Sequence, residues 1–456
     1  MTTLATITDV GVHWPGWREV LDTLTLQRGY TATMVTLGTT ALGAAGGVVG
    51  TFTLLRKRAL MTDTLAHATL PGVAIAFLLL VALGAGGKSL LGLLPGAAAS
   101  GVVGVLAVHA LTKTGRLRPD AAMAVVLSVG FGIGVVLMSI IQAMPSGQQG
   151  GLSTFIYGQT AAMSREDVAV IGAAGALSVL FVVLVLKELS YVAFDAEHAR
   201  VSGVPSGGLD LALMGVVVLV TVVALQAVGL VLAVAILVIP AVSARLWTDR
   251  LRRMVVLAGV LGALGGYLGT AASTVLERLP AGPVIVLCSG AIFAISLVFA
   301  PRRGVVAAAW RAASLRGRMA RDHALRAIWE LSDKTNEPWV TLADLAEHRG
   351  ASRRTASAVV RVLGLRGLTE TAAGRVRLTD RGEHEAMRIT RNHRLWEQYL
   401  IAYADVAPTH VDVSAEYAEH ALGASVVEAL EAGLAKRGLS LEHLPDHSEL
   451  IVGDTA

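Results

Sequence analysis

Two groupings of carboxylate and imidazole side chains stand out in this chain of 456 residues. The first is Asp63 with His67 in the run Leu60-Met-Thr-Asp-Thr-Leu-Ala-His-Ala-Thr-Leu-Pro-Gly72, a spacing that puts both side chains on one face of a helix. That helix enters an apolar stretch, where a carboxylate without a partner is costly to desolvate, so the pair reads as a functional site. A carboxylate oxygen with an imidazole nitrogen suits manganese, zinc or iron better than calcium or an organic solute. The alternative is an acid at a helix start and a satisfied histidine near the interface. The second grouping lies toward the C-terminus. Glu416, Glu419 and His420 fall on one helical face and His393 with Glu397 on another, so two helices could present five ligands to one metal. Each pair taken alone is also what a solvated, salt-bridging face looks like.

The elements that must position these residues follow from composition. The chain is 54% hydrophobic and 16% charged, with mean hydropathy +0.62. These values exclude disorder and set it apart from an ordinary cytosolic enzyme. The first 300 residues carry 17 Lys and Arg with 13 Asp and Glu, whereas the last 156 carry 21 of each sign. An integral membrane domain is therefore followed by a soluble one. The net charge of +4 arises in the membrane part, which points to cytoplasmic loops rather than a nucleic-acid surface. The single cysteine, Cys288, lies in an apolar run, so there is no disulfide framework and no cysteine-based zinc site. Residues 1–30, with Asp9, Trp14-Pro15, Arg18, Glu19 and Asp22, read as an interfacial segment rather than a cleaved signal peptide.

A spanning helix needs about 20 mostly apolar residues. Nine runs qualify, near 31–55, 66–84, 89–112, 121–143, 168–186, 209–225, 227–244, 254–276 and 283–300. The run 209–244 holds one charge, Asp210, and its turn is placed at Gln226 and Gly229. Fourteen Lys and Arg fall in one set of loops, among them Arg56, Lys57, Arg58 and Arg245, against five in the alternate set, which puts the first set and the soluble domain in the cytoplasm. Gly43, Gly46, Gly47 and Gly50, and Gly262, Gly265, Gly266 and Gly269, recur at a spacing that lets helix backbones approach closely. Gly86-Gly87-Lys88-Ser89 imitates the end of a phosphate-binding loop, but Ala82 stands where its first glycine is required, so the chain is not expected to bind ATP itself.

The run Thr62 to Ala74 resembles the signature of the metal-ion permease family of ABC importers, the manganese, zinc and iron type. Asp120-Ala-Ala-Met123, Phe155-Ile-Tyr-Gly-Gln159, Lys187 to Asp195, Glu197-His-Ala-Arg200 with Gly203-Val-Pro205, and Gly229 to Ala241 match further pieces in order. The resemblance covers roughly residues 31–300. It implies that Asp63 and His67 coordinate the metal along the translocation path. It also implies that the loop 187–208, through Asp195, Glu197, Arg200, Gly203 and Pro205, couples to a separate ATP-binding subunit. An extracytoplasmic metal-binding protein and a second permease subunit, identical or homologous, are the other implied partners. Without the resemblance that charged loop would read as ordinary solvated chain.

Beyond Pro301, residues 301–320 read as a basic linker helix along the inner membrane surface, with Arg311, Arg316 and Arg318 among alanines. Helices near 323–333, 341–348 and 352–365, with a hairpin through Gly374 to Leu378, read as a winged helix over 321–382. Helices near 383–404, 411–422 and 425–437 form a helical domain to residue 440, before a tail of 441–456. Thr355 to Arg361, Leu365-Arg-Gly-Leu368, Arg377 to Gly382, Asn392 to Glu397 and Ala415 to His420 are similar to the diphtheria-toxin-repressor family of metal-dependent regulators. That resemblance makes His323, Glu416, Glu419 and His420 regulatory-site ligands, with His393, Glu397 and Asp412 forming or supporting a second site. His323 stands where the family has methionine or aspartate, and Arg326 replaces an acid that manganese sensors use. Glu416 in place of cysteine leans toward manganese. Arg353, Arg354 and Arg361 lie on the candidate recognition helix, but the balanced charge of the domain and its membrane tether disfavour DNA as a partner.

The expectation is thus an all-α polytopic membrane domain followed by a cytoplasmic winged-helix and helical domain, in a bacterial inner membrane. It would be the permease subunit of an ABC importer for a divalent transition metal, manganese before zinc or iron, with a metal-responsive regulatory domain. A membrane-tethered transcription factor and an ion-coupled secondary transporter are the rival readings, and the inverted repeat and mid-span acids that the latter calls for are not found.

Overall fold

The computed structural model describes residues 16–84, 90–113, 115, 117–144, 163–276, 279–404, 429–430 and 432. The chain forms two compact units, Met1–Ala308 and Ala309–Ala456. In the first, a short amphipathic helix α1 (Trp17–Leu24) precedes α2 (Tyr30–Leu55), α3 (Met61–Ala68), α4 (Leu70–Ala82), α5 (Leu90–Lys113) and α6 (Pro119–Gln142). Then come α7 (Arg165–Leu184), the short α8 (Leu186–Phe194) and α9 (Ala196–Val201), and α10 (Ser206–Val228), α11 (Leu230–Trp247), α12 (Leu251–Val275) and α13 (Ala281–Phe299). Among the described residues eight helices are long and apolar enough to cross a membrane, α3 and α4 counting as one, and α11 is a ninth, shorter apolar helix.

Each of the nine apolar runs therefore becomes a helix. The turn inside 209–244 differs in detail. Gln226 is helical, and the break falls on Gly229 alone, whose φ of +83° is a conformation that glycine adopts without strain. A second break, at Thr69, separates α3 from α4. Pro71 has no N–H to give the carbonyl of His67, so the helix is interrupted one turn after the Asp63 and His67 pair. The Ser100 hydroxyl from α5 donates to the carbonyl of Ala68.

The glycine runs are where α2 meets α11 and α12. A Cβ on Gly43 would collide with the carbonyl of Gly262, and one on Gly262 with that of Gly43. Gly47 lies in the same way against Ala258, Gly50 against Leu237 and Gly266 against Thr39. The backbones approach so closely that Thr39 Oγ1 reaches Thr270 Oγ1 at 2.8 Å across the interface. Van der Waals contact between bare backbones, not hydrophobic transfer, is the attraction left to helices already surrounded by apolar groups. Gly72 on α4 and Gly96 on α5 make a second mutual contact of this kind, which was not anticipated.

The second unit begins within α14 (Val305–Thr335), which runs unbroken through the expected linker of 301–320 into the first helix of the winged-helix fold, because an alanine- and arginine-rich stretch contains no stop signal. It is followed by β1 (Val340–Thr341), α15 (Leu342–His348), α16 (Arg353–Leu365), β2 (Thr369–Ala372), β3 (Arg375–Leu378) and α17 (Asp380–Ala404). The strands form one antiparallel sheet in the order β1-β3-β2. Thr341 and Ser352 cap α15 and α16 by accepting from the backbone N–H of Asp344 and Thr355. Ala327, Ile328, Val340, Leu345, Val360 and Val376 pack a small core between helices and sheet. The helices expected at 411–422 and 425–437 lie almost wholly outside the described residues.

Gly43→Ala or Gly262→Ala should lower the thermal unfolding midpoint of the detergent-solubilised protein, by an overpacking cost of about 1–3 kcal/mol. Gly172→Ala, where the added Cβ meets nothing within 4 Å, should leave it unchanged. Melting of Gly43→Ala at the midpoint of the unaltered chain would contradict the close backbone contact.

Candidate functional site

Asp63 and His67 lie one turn apart on α3, with Oδ1 of the acid 3.6 Å from Nε2 of the ring. That is beyond a hydrogen bond. The other ring nitrogen, Nδ1, is buried and has no hydrogen-bond partner among the described residues. The ring is held instead by an edge contact with Phe131 of α6, centroids 5.1 Å apart and planes at 87°. Around the pair α3 is otherwise deeply buried, with Thr62, Thr64, Leu65 and Ala66 almost inaccessible. Two ligands held about 2.1 Å from one ion stand roughly 3 to 3.6 Å from each other, so the spacing of Oδ1 and Nε2 fits a shared cation.

Just before α3 sits a charge cluster that sequence reasoning missed. Asp210, 9% exposed on the first turns of α10, receives Arg56 Nη2 on one oxygen at 2.9 Å and Arg58 Nη1 on the other at 2.6 Å. Arg56 also donates from Nη1 to the carbonyl of Val192, in the last turn of α8, at 2.6 Å. Removing Asp210 would leave two partly buried arginines without this counter-charge, and breaking a fully buried pair in this way costs about 3–5 kcal/mol. The only sequence signal was the solitary charge at 210 in a run of 36 apolar positions.

The segment 195–205 connects α8 to α10. Asp195 caps α9 by accepting from the N–H of His198 at 2.9 Å, while Glu197 and Arg200 are exposed and 3.8 Å apart. Arg200 Nε donates to Ser206 Oγ at 3.2 Å, and Gly203 and Pro205 turn the chain into α10. Farther along, Asp249 between α11 and α12 takes a hydrogen bond from Arg303 at 2.8 Å. That bond, with the charges of Arg303, Arg245 and Arg302, holds its carboxyl below the usual carboxylate range.

In the second unit His323 is partly buried on α14, and His393, 1% exposed, lies on α17 with Glu397 one turn farther along the same helix. Asp412, Glu416, Glu419 and His420 lie outside the described residues. Among the described residues no three His, Cys, Asp or Glu side chains gather into a metal-holding group. Arg326 is engaged with Glu330, Nε to Oε1 at 2.6 Å, and the other oxygen of Glu330 is 3.3 Å from His348 Nε2. On α17 the hydrogen bond from Arg388 holds the Glu385 carboxyl below its ordinary range. Arg353, Arg354 and Arg361 are exposed on α16 and line a shallow cleft with Thr341, Ser357 and Gly374.

Residues 30–300 match the ABC 3 transport family. The chain belongs to that family. It is a multi-pass membrane permease, and in this family ATP hydrolysis is the task of a separate subunit, so the chain is not itself an enzyme. As an ABC 3 permease it works with an ATPase and a substrate-binding protein. Among its relatives, the manganese transport system membrane protein MntC of Bacillus subtilis (strain 168) is 35% identical over 379 residues, 83% of this chain and 86% of that one. The zinc transport system membrane protein TroC of Treponema pallidum (strain Nichols) is 40% identical over 282 residues, 62% of this chain and 93% of that one. The solved structure of PsaBC from Streptococcus pneumoniae in complex with Fab is similar with a TM-score of 0.53 at 28% identity, over 63% of this chain and 97% of that one. Residues 379–438 of the ABC 3 permease match a different family, the iron dependent repressor metal binding and dimerisation domain. A repressor-type metal domain is thus fused to the transport domain.

Proposed function

We propose that this ABC 3 permease imports a divalent transition metal, manganese ahead of zinc or iron, and that Asp63 and His67 hold the ion on its way through. The observation that carries the reading is the histidine: among the described residues neither ring nitrogen makes a hydrogen bond, although the ring packs against Phe131 and lies beside a carboxylate at a ligand-to-ligand distance. A histidine kept for structure would have found a partner, because a buried unpaired nitrogen costs about 1–3 kcal/mol. The names of the relatives, one for manganese and one for zinc, support the class of cargo. One carboxylate oxygen and one imidazole from a single chain leave most of the coordination sphere open, so a second permease subunit across the path supplies a matching pair. Segment 195–205 docks on the ATPase subunit.

The excess of Lys and Arg in one set of loops supports a cytoplasmic C-terminal domain. There, Glu416, Glu419 and His420, with His323, bind the metal that import accumulates, while His393, Glu397 and Asp412 form or support a second site. These donors are carboxylates and imidazoles, which suit manganese. Binding shifts the domain between two states only through unequal affinity for them, and the output is inhibition of import. Arg353, Arg354 and Arg361 then serve the surface of this domain rather than an operator.

Asp63→Ala and His67→Ala should each abolish uptake of labelled manganese while leaving membrane insertion intact, measured in cells lacking only the native chain. Normal uptake by both variants would remove the basis for the translocation site.

Glu416→Ala combined with His420→Ala should leave uptake at low internal metal unchanged and remove its decline as manganese is loaded inside proteoliposomes. An inhibition curve identical to that of the unaltered chain would leave the domain without a sensing role.

A further inference from the structure

We propose that Arg56, Arg58 and Asp210 form the link through which movement of segment 195–205 reaches the helix that bears Asp63 and His67. The inference rests on the reading of that segment as the docking element for the ATPase. Side-chain contacts from both flanks of the segment converge on residues 56–58. In front of the segment, Arg56 holds the carbonyl of Val192 at 2.6 Å, in the last turn of α8. Behind it, Arg200 of α9 holds Ser206 at 3.2 Å, the first residue of α10, and Asp210 follows one turn later on that helix. Asp210 in turn is taken by both Arg56 and Arg58, one on each oxygen. The segment is therefore tied at both ends to the same short stretch of chain.

That stretch is the root of the metal helix. Arg58 donates its N–H to the carbonyl of Thr53 at 2.8 Å, and its own carbonyl accepts from Met61 N–H, at the start of α3, at 2.9 Å. Asp63 and His67 lie in the two turns that follow. A displacement of α9 is passed to α10 through Arg200 and Ser206, and a displacement of α8 is passed through Val192. Both arrive at Arg56 and Arg58, and from there the backbone of Arg58 leads directly into the beginning of α3. Charges enclosed in this way have few acceptable arrangements, so they respond to a push as a discrete change of partner rather than by gradual yielding. A set of ionic contacts kept only to brace the fold would have no reason to include both flanks of the docking segment. Arg56, Arg58 and Asp210 are positioning residues here, acting through α3 and not touching the ion.

The test uses the full chain assembled with its ATPase subunit in proteoliposomes, with manganese uptake and ATP hydrolysis read in the same sample. Asp210→Asn should retain hydrolysis and equilibrium manganese binding while uptake per ATP falls by about tenfold or more, and Asp210→Glu should restore much of the ratio. If Asp210→Asn does not assemble, Arg56→Lys carries the same test, since one ammonium cannot hold both Val192 and Asp210 as the guanidinium does. Uptake and hydrolysis falling together, or an unchanged ratio of uptake to ATP, would overturn the link. Cross-linking from His198→Cys, in a chain with Cys288→Ser, to the ATPase subunit separates the two layers of the argument. A cross-link with an unchanged ratio overturns the link alone, whereas no cross-link overturns the docking of the segment and the link with it.

Discussion

Burying a polar or charged group in an apolar bundle is expensive unless that group finds a partner, and this constraint sorts the side chains of the membrane domain. Most hydroxyls answer it locally. Thr51, Ser178, Ser243 and Ser296 donate to the carbonyl one turn back. Asp210 answers it at long range with two arginines, and Asp249, at a loop, with three. His67 has Asp63 beside Nε2 at 3.6 Å, but its buried Nδ1 finds no hydrogen-bond partner among the described residues. Glu188 Oε2 and the hydroxyls of Thr40, Thr62 and Thr221 are likewise buried without a hydrogen-bond partner among the described residues, and what sets His67 apart is the carboxylate one turn away at a ligand-to-ligand distance.

The scaffold that holds this pair is stiff because it is built on bare backbone. Gly43 against Gly262 and Gly47 against Ala258 bring α2 onto α12, and Gly72 against Gly96 brings α4 onto α5. Close contact without side chains leaves little room for sliding. The helices are interrupted, among other places, at Thr69 before Pro71, at Gly229 between α10 and α11, and over the segment 195–205. The first adjoins Asp63 and His67 and the last adjoins the arginine cluster.

Much of this was legible in the sequence, for reasons that differ from residue to residue. The apolar runs were legible because a spanning helix must be long and uncharged, and the Asp63 and His67 face because a four-residue spacing on a helix leaves no other geometry. The winged-helix elements were legible because Ser352, Gly350, Gly367 and Gly374 punctuate them. The partners of Asp210 were not, since Arg56 and Arg58 are about 150 positions away and nothing local marks their meeting. Gly72 and Gly96 escaped because nothing in the sequence pairs them across two helices, although Gly92 and Gly96 stand four apart, and the unbroken α14 escaped because the alanines and arginines of 301–320 look like a separate linker when no helix ends there. Arg326 is held by Glu330 one turn away on the same helix, a pairing that the four-residue spacing allows.

A transport domain and a repressor-type metal domain share one chain, and in the proposed reading Asp63 and His67 take the cargo that the second domain meets after delivery. The central claim of that reading is that manganese is held by His67. Pulsed electron paramagnetic resonance of the manganese-loaded chain reads that directly, in a protein also carrying Glu416→Ala and His420→Ala so that the regulatory ligands do not contribute. The account predicts a nitrogen coupling from one imidazole per chain that disappears with His67→Ala. The same coupling persisting in the His67→Ala protein would contradict it.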